Sequence, residues 1–280
     1  MNEIVTKCPA KINLDLQILD KREDGYHNIK SHFQLIDIYD HLKFKSNKDG
    51  NIIVKSQEAY LHDENNTIYV AAEKLQSLKN VNKGIQVEVK KNIPTGSGLG
   101  GASSNAASTL VALNKIWELN LIESELIKIA ATIGADVPFF VFGKNAVGKG
   151  IGDILEEVNV TSKKILLITP NIHSSTKEMF KFYEQSKNAV KKISSDRQNS
   201  FWNVFLGQNP SIKDFIFSNN LENRINLSGS GSSLFINYED NSEIDKIVKK
   251  IPRNWRFFLC KPLQYSPICY IKWLWGVAKR

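Results

Sequence analysis

Residues 94–105 read PTGSGLGGASSN, a stretch of glycine and small alcohols from which no apolar core is built. A strand-like stretch, IQVEVKKNIP, precedes it with Ile85, Val87 and Val89 alternating, and Pro94 ends that pattern. A helix-like stretch, SSNAASTLVALNKIWEL, follows, with Ser103 or Ser104 as its expected N-cap. A glycine-rich turn feeding a helix N-terminus suits an anion. The first helical N–H groups lack internal partners, the helix dipole adds partial positive charge, and glycine lets the backbone approach a phosphate closely. The bland alternative is a flexible turn; the strand before and the helix after favour phosphate. No G-x-x-x-x-G-K-[ST] string exists, so this is no P-loop. Gly96, Gly98 and Gly101 satisfy G-x-G-x-x-G, but the acidic residues about 20 positions on, Glu123 and Glu125, open a helix instead of ending a strand. That context argues against a dinucleotide fold, and the protein-kinase strings H-R-D and D-F-G are absent.

Other residues carry chemistry only in combination. In INLDLQI (12–18) the apolar residues Ile12, Leu14, Leu16 and Ile18 alternate with Asn13, Asp15 and Gln17, and Lys11 falls on the polar side with Asn13. By itself Lys11 reads as a strand-edge surface lysine. The turn LDKREDGYHN presents Tyr26 and His27, which by themselves read as an amphipathic turn packing a tyrosine. In GADVPFF, Pro138 pushes Val137 toward an extended conformation and suits the first turn of a short helix. Asp136 then stands at a helix start, where the plain reading is an N-cap.

These residues need elements to hold them. SHFQLIDIYDHLKF and NIIVKS read as strands, ENNTIYVAAEKLQSL as a helix, and ESELIKIAATIG as a helix capped by Gly134. Near residue 156 the texture changes: KKILLITP is a short strand and a polar helical region runs to about 220. NLSGSGSSLFINY is a loop entering a strand, SEIDKIVKKI a helix and WRFFLCKPL a strand. The expected architecture is α+β in two domains, residues 1–155 and 156–280. The chain of 280 residues has 42% hydrophobic and 24% charged residues, ordinary globular values, and no apolar run long enough to span a bilayer. MNEIVTKCPAKINLDLQIL lacks signal-peptide and transit-peptide layouts, so a cytoplasmic protein is expected. The net charge of +8 is spread and not massed, which points away from nucleic acid. Three cysteines at unrelated spacings predict reduced thiols, with Cys8 a buried filler.

PTGSGLGGASSNAA resembles the central motif of the GHMP small-molecule kinases, CPAKINLDLQIL their N-terminal motif and LSGSGSSLFI their C-terminal glycine motif. DGYH, GASSNAA, GADVPFF and GIGDIL narrow the resemblance to the branch whose acceptor carries a cytidine diphosphate group and serves non-mevalonate isoprenoid biosynthesis. PTGSG stands where PMGGG is commoner there, so Thr95 and Ser97 are departures; the tail CYIKWLWGVAKR has no matching motif.

The resemblance implies the two-domain GHMP fold: an N-terminal domain like the second domain of ribosomal protein S5, a ferredoxin-like C-terminal domain, and the active site in the cleft between them. It implies ATP and Mg²⁺, the metal carried on the nucleotide and touched at most by Ser104, with no fixed protein metal site. ATP would lie on Pro94, Thr95, Gly96, Ser97, Gly98, Leu99, Gly100, Gly101, Ala102, Ser103 and Ser104, with Asn66 near the adenine. Asp136 would be the general base and Lys11 the cation orienting the acceptor and steadying charge. Asn13, Tyr26, His27 and Phe180 would hold the cytidylyl substrate, with Phe182 and Tyr183 as rivals of Phe180. Gly229–Ser233 would shape the cleft and Lys149 would stand near the diphosphate. The alternatives are a GHMP kinase for another alcohol, of homoserine or mevalonate type, and a non-catalytic relative; monomer and homodimer both remain open.

Overall fold

The structure is a computed structural model that describes residues 3–78, 81–159, 163–189 and 198–276. The chain begins with β1 (Glu3–Asn13), β2 (Gln17–Lys21), β3 (His27–Asn47) and β4 (Ile52–Ser56). Helix α1 (Thr67–Leu78), β5 (Gly84–Lys90), helices α2 (Gly101–Ile116), α3 (Glu123–Ala131) and α4 (Val137–Phe142), and strands β6 (Ala146–Lys149) and β7 (Ile154–Glu157) complete the first half. The second half runs β8 (Lys164–Thr169), α5 (Thr176–Ala189), α6 (Trp202–Gln208), α7 (Pro210–Ser218), β9 (Asn226–Leu227), β10 (Leu234–Tyr238), α8 (Asn241–Val248), β11 (Arg256–Cys260), β12 (Pro262–Leu263) and α9 (Ile268–Gly276).

Two sheets result. The larger is organised on β3, whose 21 residues pair in turn with β1, β2, β5, β6 and β12. Helix α2 covers this sheet with an apolar wall: Ala106, Ala107, Leu110, Val111 and Leu113 are buried in one core with Leu35, Leu42 and Phe44. The smaller sheet has the order β11-β8-β10-β9, all antiparallel. Its central strand β8 is apolar from Ile165 to Ile168 because both faces are covered there. Leu166 and Ile168 join the helices α6 and α7 in one core, whereas Ile165 and Leu167 pack with Ala10, Ile12, Ile36 and Leu99 of the first half. That second contact joins the two sheets, so the alternation of β8 is what closes one half of the chain on the other. No helix among the described residues is long and apolar enough to cross a membrane.

Several local expectations change. The strand expected over 12–18 is interrupted: β1 ends at Asn13, and Leu16 leaves the sheet to bridge Asn199. Beyond the break the alternation holds, with Leu16 and Ile18 buried and Gln17 exposed, but before it Lys11 and Asn13 are buried along with Ile12. Helix α2 starts at Gly101 and is capped by Gly100 in a left-handed conformation, φ 71°; Ser103 and Ser104 lie inside the first turn. Glycine takes this backbone at no steric cost, which outweighs the usual preference for serine at a cap. Helix α3 is capped at Thr132, before Gly134. Val137 is helical, because Pro138 falls in the first turn, where helical geometry is tolerated. The C-terminal segment does not stay with the smaller sheet: β12 pairs with β3, and Ile268 of α9 packs in the core of the first half. Within the unmatched tail Cys269 is buried and Ile271 packs against that core, and α9 runs to Gly276; residues 277–280 lie outside the described residues.

Candidate active site

The end of β1 carries the first functional group. Pairing with β3 runs to Asn13, and the Lys11 amide donates to the Leu99 carbonyl at 3.0 Å, tying the strand to the first glycine loop. Lys11 is only 4% exposed, so its ammonium needs partners where it lies. It has three. Nζ donates to Asn13 Oδ1 at 2.6 Å, stands 3.3 Å from Asp136 Oδ2, and sits 5.4 Å from the centroid of the Phe33 ring. Asn13 is itself fixed from both halves of the chain. Its Nδ2 donates to Ser31 Oγ at 2.7 Å, and its backbone amide donates to Ser228 Oγ at 3.1 Å.

Asp136 stands at the start of α4, but its side chain makes no capping bond. The plain reading as an N-cap is therefore replaced by the ion pair with Lys11. Its side chain is 35% exposed, against 5% for that of Lys11. The pair thus has a buried cation and a carboxylate open to the cleft.

The two glycine loops meet. The Ser233 amide donates to the Ser97 carbonyl at 3.2 Å, and Gly98, at φ 77°, lies so close to Gly231 that a Cβ there would be 2.5 Å from its carbonyl oxygen. Any side chain at 98 would push the halves apart. Ser97 Oγ donates to the Pro94 carbonyl at 2.6 Å, so this hydroxyl braces the loop. Thr95 Oγ1 is 3.1 Å from the Tyr60 hydroxyl. Ser104 Oγ, buried in the first turn of α2, has no hydrogen-bond partner, which makes it the one loop hydroxyl still unsatisfied among those of Thr95, Ser97 and Ser104. The loop is anchored below by Asp40, a fully buried carboxylate that accepts from the Asn92 and Ile93 amides at 2.8 and 2.9 Å and pairs with Lys91.

A cleft of about 910 Å³ opens between the halves. Lys11, Asn13, Tyr26, His27, Gly98, Asp136, Phe180, Gly229 and Ser230 all line it. Tyr26 is 64% exposed and available for stacking. His27 stacks on Phe180 with centroids 4.9 Å apart and planes 12° from parallel. Phe182 and Tyr183 pack against the second core and do not line the cleft, so among the three rivals Phe180 faces it.

Two expected residues stand elsewhere. Asn66 caps α1: Oδ1 accepts from the Ile68 and Tyr69 amides at 3.0 and 2.9 Å, and Nδ2 donates to the Leu61 carbonyl at 2.8 Å. Its side-chain groups are occupied by the helix start. Lys149 donates to Glu156 at 2.7 Å across β6–β7 and does not line the cleft. The residues that sequence reasoning missed are Ser31, Ser228 and Glu184. Ser228 lies at the edge of the second glycine motif, but nothing local to Ser31 or Glu184 marks them.

The sequence model of the GHMP kinases N terminal domain matches residues 66–144, from the α1 cap to just past α4. A protein of Francisella tularensis subsp. tularensis named 4-diphosphocytidyl-2-C-methyl-D-erythritol kinase is 39% identical over 263 residues, 91% of this chain and 95% of its own length. One of the same name from Ruthia magnifica is 36% identical over 283 residues, 98% of each chain. A crystal structure of 4-(cytidine 5'-diphospho)-2C-methyl-D-erythritol kinase superposes with a TM-score of 0.76 at 25% identity, covering 92% of this chain and 99% of its own. Likeness at this level runs through both halves and includes the strand, loop and helix that bring Lys11, Gly98 and Asp136 together; on that ground the chain belongs to the 4-diphosphocytidyl-2-C-methyl-D-erythritol kinase family of the GHMP kinases.

Proposed function

We propose that the chain transfers the γ-phosphoryl group of ATP to the 2-hydroxyl of 4-diphosphocytidyl-2-C-methyl-D-erythritol, in a bacterial cytoplasm. The single observation that carries the reading is the Lys11–Asp136 pair, 3.3 Å apart, in one cleft with Tyr26, His27 and Phe180. Its halves divide near residues 155 and 156, with the cleft between them. Phosphoryl transfer asks a protein mainly for positioning and for charge stabilisation. Asp136 takes the proton of the acceptor hydroxyl as that oxygen bonds to the γ-phosphorus and the bond to ADP breaks. Lys11, held by Asn13, orients the acceptor oxygen and steadies the negative charge on the migrating group. The N–H groups at the start of α2 and the glycines before it cradle the nucleotide phosphates. Tyr26, His27 and Phe180 hold the cytosine.

Mg²⁺ accompanies ATP and supplies charge neutralisation on its phosphates. The unsatisfied Ser104 hydroxyl fits that role as the chain's own oxygen ligand. The Thr95 and Ser97 side chains, engaged with Tyr60 and Pro94, support the loop's shape, so their departure from the commoner motif does not remove a phosphate contact.

The test is ADP release from ATP and Mg²⁺ with cytidylyl-methylerythritol, mevalonate, homoserine and galactose as acceptors. Turnover confined to the cytidylyl acceptor, raised KM in Phe180→Ala and lost kcat in Asp136→Asn are expected. Preferred turnover of another alcohol overturns the substrate, and nucleotide binding without turnover of any acceptor favours a non-catalytic relative.

A further inference from the structure

His27 is held by contacts that its neighbours on the cleft wall do not have. One face lies flat on Phe180, and one ring nitrogen, Nε2, is 2.8 Å from Glu184 Oε1. Phe180 and Glu184 are four residues apart on α5 and so present one helix face to the imidazole. Phe180 is backed in turn by the buried Phe201 ring, centroids 4.9 Å apart and planes at 83°. His27 comes from β3 in the first half of the chain and α5 belongs to the second. The imidazole therefore has a fixed plane and a fixed edge, both set across the cleft.

The chemistry of that edge decides which proton the ring carries. An ionised carboxylate only accepts hydrogen bonds, so the hydrogen between Nε2 and Glu184 belongs to the imidazole. In the neutral ring Nδ1 is then bare and accepts. No hydrogen bond to Nδ1 is made from the described residues, and His27 lines the cleft. Cytosine and uracil differ in this respect: cytosine carries an amino donor at position 4, uracil a carbonyl acceptor there. A bare Nδ1 pairs with the amino group, whereas the carbonyl would leave two acceptors facing each other.

We infer that Glu184 is a positioning residue that holds His27 as its Nε2–H tautomer and thereby makes the site select a cytosine base over uracil. This rests on the functional reading above and extends it from which residues meet the base to what sets their hydrogen-bonding sense. Glutamine at 184 has nearly the same shape, but its amide can accept from Nε2 or donate to it. Donation would move the hydrogen to Nδ1 and turn the reading edge from acceptor to donor.

The experiment compares wild type and Glu184→Gln on the cytidylyl acceptor and its uridylyl analogue, with ¹⁵N spectra of labelled histidine on the same samples. Wild type should prefer the cytidylyl acceptor and give the Nε2–H pattern at His27. Glu184→Gln should lose that pattern, narrow the ratio of KM values by roughly tenfold or more, and leave kcat nearly unchanged, because one mismatched buried donor or acceptor weakens binding on that scale. Glu184→Ala, which removes the partner without offering a donor, should narrow the ratio less than glutamine does. An unchanged KM ratio and an unchanged imidazole spectrum in Glu184→Gln overturn the inference. If wild type fails to turn over the cytidylyl acceptor at all, the functional reading falls, and the spectra still decide whether Glu184 holds the tautomer.

Discussion

Gly98→Ala is the sharpest perturbation the loops allow. Two separate penalties apply. The backbone at 98 is left-handed, φ 77°, which costs an L-residue about 1–2 kcal/mol. The new Cβ would also lie 2.5 Å from the Gly231 carbonyl oxygen, well inside the 3.4 Å at which ordinary contact begins. That oxygen is backbone, so it cannot swing away as a side chain would. Overpacking of this kind adds about 1–3 kcal/mol. Gly50→Ala separates the two penalties. Its φ is 75°, almost the same, but its nearest atom, the Asn82 carbonyl oxygen, is 3.5 Å away. Gly50 lies in the β3–β4 connection and not in the cleft. Urea melts should therefore show Gly98→Ala less stable than Gly50→Ala by about 1–3 kcal/mol. The KM for ATP should rise in Gly98→Ala alone, because the displaced loop is the phosphate cradle. Equal destabilisation of the two variants, or an unchanged KM in Gly98→Ala, would refute the claim that the halves are in register through the contact of Gly98 with Gly231.

Asp136→Asn should keep the fold, since the carboxylate is 35% exposed and makes no cap, while kcat drops by about 10²–10⁴-fold; circular dichroism with steady-state kinetics checks both. Lys91→Met should cost about 3–5 kcal/mol in a denaturant melt, because it strands the fully buried Asp40 carboxylate. A loss under 1 kcal/mol would mean that the Asn92 and Ile93 amides alone satisfy Asp40. Burial pushes the Cys8 and Cys260 thiols up to about 12 and raises that of Cys269. A thiol reacts as its thiolate, so a disulfide reagent at pH 8 should find none of the three in the native protein and all three after denaturation.

Much of the site was legible along the chain because its parts are local motifs. A strand, a glycine loop and a helix succeed one another within residues 84–116, and the backbone conformations of such a loop are written in its glycines. The alternation that set Lys11 and Asn13 on one side of a strand needs no partner to be read. Where local signals competed, they misled. Serine is a common cap, but Gly100 took the position; aspartate is a common cap, but Asp136 gave its carboxylate to a lysine 125 positions away in the chain. Asn66, expected near the adenine, caps α1 as well, a local role that the family resemblance does not announce.

By itself, then, the sequence determined the kinds of element and the glycine-rich loop between β5 and α2, while Lys11 and Asp136 were marked out only by the family resemblance. The tertiary structure decided what each group faces. Asn13 meets Ser228 across 215 residues and His27 meets Glu184 across 157, and no periodicity extends over such separations. Lys11 looked like a surface residue because strand alternation distinguishes two faces without saying what covers either. Lys11 and Asn13 lie opposite Leu35 and Phe33 of β3, and Asp136 at the start of α4 meets them on that face, which turns a polar strand face into a buried cation with a carboxylate beside it. The physical reason is that hydrogen bonds within an element repeat with its own period, whereas contacts between elements depend on which apolar faces close against each other.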